Sequence, residues 1–143
     1  MRSLVLDTSV AIAWYLPDAF APAARSWQKQ LLEGRARLVV PSLHFWEMAN
    51  VLRTYVKRRE LTPSLAEEIY TLHLDAPLAV EEPDRTAVLA TALELDATAC
   101  DAVFIALART LDVPLLTAER KSRPWVARLG KLVETLLPPG SIS

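Results

Sequence analysis

Leu4-Val5-Leu6-Asp7-Thr8-Ser9-Val10-Ala11 sets a short apolar run against an acid and then against a second apolar run that reaches Leu16. Three apolar residues closed by a polar one suit a buried strand, and the run that stops at Pro17 suits a helix. A second junction of this kind lies near the other end, at Val113-Pro114-Leu115-Leu116-Thr117 followed by Ala118-Glu119-Arg120. Each junction places a carboxylate where a strand gives way to a helix. In an open parallel α/β sheet, ligands bind at the carboxyl ends of the strands. Acids gathered at that edge point to a divalent-metal site, and such a site points to phosphate chemistry.

Working outward, apolar runs predict strands over 2–6, 38–40, 78–80, 115–117 and 131–134. Helices are expected over 8–16, 21–33, 43–59, 63–74, 83–95, 101–111 and 124–129. Pro22 in a first turn with Gly34 past the end, and Thr62 followed by Pro63, are the boundary signals used. Short strands alternating with amphipathic helices imply the α/β class. The expected architecture is a three-layer α/β/α domain with a central, mostly parallel sheet of four to five short strands. One domain is expected over 1–137, with a loose tail over 138–143.

The 143 residues carry a net charge of −1, with 52% hydrophobic and 23% charged residues, and mean hydropathy is +0.20. This is the composition of a packed domain rather than a disordered chain. Overall charge gives no support to nucleic-acid binding, so a phosphate substrate needs local cations or a metal bridge. The single cysteine, Cys100, excludes an intramolecular disulfide and a cysteine-based zinc cluster, and it reads as a small buried hydrophobe. No apolar run approaches a membrane span, and Asp7 breaks the pattern a signal peptide needs. A cytoplasmic protein is expected.

Four acids are candidates for the chemistry, each with a plainer reading beside it. Asp7 and Asp101 precede apolar helical runs, where Asp is a favoured N-cap. Glu47 falls opposite the apolar stripe Phe45, Met48, Ala49, Leu52 and Val56, where a solvated face is the plain reading. Three residues on, Asn50 can address the same point as Glu47. Glu119 follows a strand and would also be favoured by a helix dipole. His44 and His73 do not pair at metal-ligand spacing and read as structural.

The four segments Leu4 to Ala11, Pro41-Ser42 with Glu47 to Leu52, Asp101 to Ala108 and Val113 to Lys121, in that order, resemble a PIN-domain protein. More closely, they resemble a VapC-type toxin ribonuclease of a type II toxin–antitoxin system. The resemblance covers nearly the whole chain. It implies a catalytic set of Asp7, Glu47, Asp101 and Glu119, with Asp7, Asp101 and Glu119 as metal ligands. Glu119 stands where the family usually has Asp, one methylene shorter. Thr8, Ser9 and Thr117 fall on supporting hydroxyl positions. The implied activity is endonucleolytic hydrolysis of RNA, dependent on one or two Mg²⁺ or Mn²⁺ ions.

Clustered carboxylates raise one another's pKa values, and a divalent cation offsets that repulsion. Oxygen-only donors favour Mg²⁺ or Mn²⁺ over zinc. Candidate RNA contacts are Arg53, Lys57, Arg58 and Arg59, and Arg120, Lys121 and Arg123 beyond the last acid. The resemblance also implies a homodimer and a VapB-type antitoxin seated in an apolar groove, for which Trp14, Tyr15 and Trp27 are candidates. Two rival readings stand beside it. One is a phosphotransferase with Asp7 as nucleophile, which position 9, a Ser rather than an Asp, disfavours. The other is a catalytically degenerate PIN-like module that binds RNA or protein without cutting.

Overall fold

The structure, a computed structural model, describes residues 1–118 and 124–136. Five strands, β1 (Arg2–Leu6), β2 (Ala36–Val40), β3 (Ala79–Val80), β4 (Leu115–Thr117) and β5 (Val133–Thr135), form one sheet. Its order is β3-β2-β1-β4-β5 and every neighbouring pair is parallel. The helices are α1 (Thr8–Ile12), α2 (Ala21–Leu32), α3 (Leu43–Lys57), α4 (Pro63–Leu74), α5 (Arg85–Leu95), α6 (Ala99–Leu111) and α7 (Pro124–Leu129). The α/β class and the sheet flanked by helices are as the sequence predicts. Among the described residues, no helix is long and apolar enough to cross a membrane.

Period-two alternation along buried strands builds the two faces. Leu4 and Leu6 of β1, Leu38 and Val40 of β2 and Leu116 of β4 pack in one core with Val10, Trp14 and Ala24. The intervening residues Val5, Val39 and Leu115 pack in a second core with Phe104, Ile105 and Trp125. A third, smaller cluster joins Leu16 to Leu52 of α3 and to Ala66 and Ile69 of α4. Each fully buried Leu or Ile contributes roughly 1.5–3 kcal/mol.

The strand order reverses between β1 and β4. β2 and β3 follow on one side of β1, and β4 and β5 lie on the other. A crevice opens at the carboxyl ends of the two strands that flank such a reversal. Asp7 follows β1 and Ala118 follows β4, so Asp7 and the end of β4 meet at this edge.

Several boundaries differ from expectation. α1 ends at Ile12 rather than 16, because the chain tightens there into three-residue turns in which Trp14 and Tyr15 donate to the carbonyls of Ala11 and Ile12. α6 starts at Ala99, before Asp101, because the Thr98 hydroxyl caps it, accepting from the Asp101 amide at 3.1 Å. Cys100, in that first turn, is exposed rather than buried. Asp84 caps α5, so Pro83 lies outside that helix. Glu119, Arg120, Lys121, Arg123 and the 138–143 tail lie outside the described residues.

Leu6→Ala, at a fully buried position in the central strand, is expected to cost about 2–5 kcal/mol. Val80→Ala, on the edge strand and 54% exposed, is expected to cost less than about 0.5 kcal/mol. Urea unfolding of both variants checks the contrast, and equal losses would contradict the strand order.

Candidate active site

Asp7 occupies the N-cap position of α1 with extended backbone, yet its side chain makes no cap hydrogen bond. Its Oδ2 instead accepts from the hydroxyls of Ser9 at 2.7 Å and Thr117 at 2.8 Å. Ser9 Oγ in turn accepts from the backbone N–H of Ala118 at 3.0 Å. The two strand ends are therefore tied together through one carboxylate. Thr117 is fully buried, so its hydroxyl is a fixed donor rather than one competing with water.

Glu47 projects from the second turn of α3 and is half-buried. Its Oε1 accepts from Thr8 Oγ1 at 2.9 Å. Burial is the main force holding its carboxyl above the usual range; the Thr8 hydrogen bond opposes this, and the negative charges of Asp7 and Asp101 add to the rise. The plain reading of Glu47 as a solvated face does not hold.

Asp101 sits in the first turn of α6, and its backbone N–H, not its carboxylate, serves the cap. Asp7, Glu47 and Asp101 line one cavity of about 200 Å³, together with Thr8, Ser9 and Val51. The sequence-predicted acids of three separate segments thus converge, and neither Asp7 nor Asp101 spends its carboxylate on capping its helix. The donors are hard oxygens, the type that suits Mg²⁺ or Mn²⁺. Among the described residues, no group of three or more His, Cys, Asp or Glu side chains is close enough to hold an ion without rearrangement. The donor chemistry fits a divalent cation, with Asp7 and Asp101 as the ligands that would hold it.

Asn50 is exposed and does not line the cavity; Val51, one turn after Glu47, takes that place. Arg53, Lys57 and Arg58 are exposed along α3 and enter no ion pair among the described residues. Trp14 is 4% exposed, with its indole N–H donating to the Ala24 carbonyl at 2.8 Å, so it is core rather than the wall of a groove. Tyr15 is half-buried with its hydroxyl turned inward. Trp27 is half-buried beneath the Arg2 guanidinium, 5.4 Å from its ring centre. A larger, mostly apolar groove of about 460 Å³ runs between α3 and α4, lined by Leu52, Arg53, Val56, Ala66, Glu67 and Tyr70 among others.

Behind Thr8 the sequence reading missed a buried chain. Thr8 Oγ1 also meets His44 Nδ1 at 2.9 Å, His44 Nε2 meets His73 Nε2 at 2.7 Å, and His73 Nδ1 meets the Tyr15 hydroxyl at 2.7 Å. Both imidazoles are fully buried. The legible signal was position: His44 shares the buried stripe of Met48 and Leu52, and His73 that of Ala66 and Ile69. A buried imidazole demands partners, and these are the only two histidines in the chain.

The PIN domain family model matches residues 4–124. Among solved structures, the chain is similar to the crystal structure of PAE2754 from Pyrobaculum aerophilum, with a TM-score of 0.71 and 20% identity over 92% of this chain and 83% of that one. That is a likeness of fold. No curated protein matches.

Burial lowers the His44 pKa to about 3, with the neighbouring His73 adding to the drop, and burial lowers that of His73 to about 4. The unfolded chain takes up both protons near 6.5. Their contribution to stability is therefore complete above pH 6.5 and is lost as pH falls toward about 4, at roughly 1 kcal/mol per pH unit for each histidine. Glu47 acts with the opposite sign, because its raised pKa lets the folded state take up a proton first, but it is one group against two. Thermal melts from pH 7.5 to 4.5 are expected to show a falling Tm, and a flat or rising profile would contradict neutral, buried imidazoles.

Proposed function

The chain belongs to the PIN-domain family, whose members are typically metal-dependent nucleases, and we propose that it is a Mg²⁺- or Mn²⁺-dependent endoribonuclease. The observation that carries this reading is the convergence of Asp7, Glu47 and Asp101 on one cavity at the point where the strand order reverses. A divalent cation bound there supplies Lewis acidity toward a phosphodiester and toward the attacking water.

The chain's own residues supply the rest. Asp7 is oriented by the Ser9 and Thr117 hydroxyls, and Asp101 approaches from α6. Glu47, with its raised proton affinity, is suited to take a proton from the attacking water. Glu119 is proposed as the remaining ligand. Arg53, Lys57 and Arg58, with Arg59, Arg120 and Lys121, are proposed phosphate contacts; the exposure of Arg53 and Lys57 on α3, where neither enters an ion pair among the described residues, supports this. Position 9 donates a hydroxyl to Asp7 rather than offering a second acid, which counts against Asp7 as a phosphorylated nucleophile.

The biological role we propose is that of a cytoplasmic toxin of the VapC type, homodimeric and inhibited by a VapB-type antitoxin. The apolar groove between α3 and α4 supports a docked partner segment, whereas buried Trp14 does not contribute to one. The rival reading of a non-cutting binding module rests on Glu119, which stands where the family usually has Asp.

Calorimetric titration with Mn²⁺ separates the two. The native protein is expected to bind saturably, Asp101→Asn to bind at least about tenfold more weakly, and cleavage of an RNA mixture to fall in parallel, leaving 5′-phosphate ends in the native digest. Asp101→Asn is also expected to raise Tm in the absence of metal, since it removes repulsion from Glu47. Neither binding nor cleavage by the native protein would favour the binding module.

A further inference from the structure

The buried chain behind Thr8 has a direction, and the direction follows from counting protons. An ionised carboxylate only accepts hydrogen bonds, and a threonine hydroxyl has one proton to give. With that proton on Glu47 Oε1, Thr8 Oγ1 can only accept from His44 Nδ1. A neutral imidazole carries one N–H, so His44 Nε2 accepts and His73 Nε2 donates across the 2.7 Å contact. His73 Nδ1 then accepts, and the Tyr15 hydroxyl donates. Every link has one donor and one acceptor, with no proton left over. Burial keeps both imidazoles uncharged and holds the Tyr15 phenol near a pKa of about 12, so its proton stays in place.

We infer that His73, His44 and Tyr15 are positioning residues that hold the Thr8 hydroxyl pointing at Glu47 Oε1, so that the tautomer of an imidazole on α4 sets the orientation of an acid at the cavity. The inference rests on the nuclease reading only in taking Glu47 as a working acid. The reversed order illustrates what is at stake. If His73 carried its proton on Nδ1, His44 would have to donate through Nε2 and accept at Nδ1. Thr8 would then turn its proton to His44, and Glu47 would lose its partner. Tyr15, four hydrogen bonds from Glu47, disfavours this order: its hydroxyl would then accept from His73 Nδ1, and its own proton would lose the imidazole acceptor it has in the forward order. The chain engages Oε1 and makes no demand on Oε2, which leaves that oxygen for chemistry. It also links α4 and the turn after α1 to the site, though neither Tyr15 nor His73 lines the cavity.

The test is ¹⁵N NMR of histidine-labelled protein at neutral pH, joined to steady-state RNA cleavage. The native protein is expected to show two neutral imidazoles of opposite tautomer, His44 protonated on Nδ1 and His73 on Nε2. Tyr15→Phe keeps the ring and removes the donor; it is expected to show a second set of imidazole signals and a kcat lowered by about three- to tenfold with KM nearly unchanged. Thr8→Val should lose kcat likewise, and Thr8→Ser, which restores the hydroxyl, should recover most of it. A purely structural role would lower Tm in Tyr15→Phe without touching tautomers or kcat, and that result would overturn the inference. So would two imidazoles of like tautomer, or an imidazolium, in the native protein. Failure of the native protein to cut RNA would count against the nuclease reading instead, and the imidazole signals would still decide the chain.

Discussion

The hydrogen bond from Thr117 to Asp7, 2.8 Å long between residues 110 apart in sequence, is the contact on which the site depends. It spans the one gap in the sheet where strand order reverses. β1 and β4 pair there in parallel through Val5–Leu115 and Leu6–Leu116, and the Asp7 N–H continues the pairing onto the Leu116 carbonyl at 2.9 Å. The side-chain bond is thus one step beyond the last backbone bond. A carboxylate placed there inherits the rigidity of the central sheet, which is what a group that must meet demanding coordination geometry requires.

The fold was readable because β1, β2 and β4 are buried on both faces, and such strands appear in sequence as unbroken apolar runs. Leu4 to Leu6 and Leu38 to Val40 are of this kind. Strand order was less accessible: β3 and β5 are two and three residues long, too short for periodicity to register, and their places on the sheet come from tertiary packing. Helix starts were misplaced where two capping residues competed. Thr98 rather than Asp101 caps α6, and both obey the same propensity; only the surrounding packing chooses between them.

The acids were legible as candidates singly and became a site only through the sheet. Asp7 and Asp101 look like caps in one dimension, and it is the third dimension that frees their carboxylates from that duty. The His44–His73 pair was illegible for a different reason. Spacing rules find histidines that share one element, whereas these lie on α3 and α4 and meet across a helix interface. The line of argument that reaches them is physical: a fully buried imidazole is costly unless both nitrogens are satisfied, and a chain with two histidines on apolar stripes can satisfy one with the other.

The nature of that chain follows from what the cavity must tolerate. Three like charges facing about 200 Å³ repel one another, and burial of Glu47 makes the repulsion stronger. A lysine or arginine beside Glu47 would relieve it, but a fixed cation would also cancel the negative field that attracts a divalent ion. Protonating His44 or His73 would have the same effect from two or three hydrogen bonds away. Neutral dipoles avoid both outcomes. They orient Glu47 through a single directed hydrogen bond from Thr8, favour its ionised form, and leave the net charge of the cavity unchanged. Burying the histidine pair among the rings of Trp14, Tyr15 and Phe45 lowers the affinity of both imidazoles for a second proton, so the packing of α4 on α3 is also what keeps the support for Glu47 uncharged.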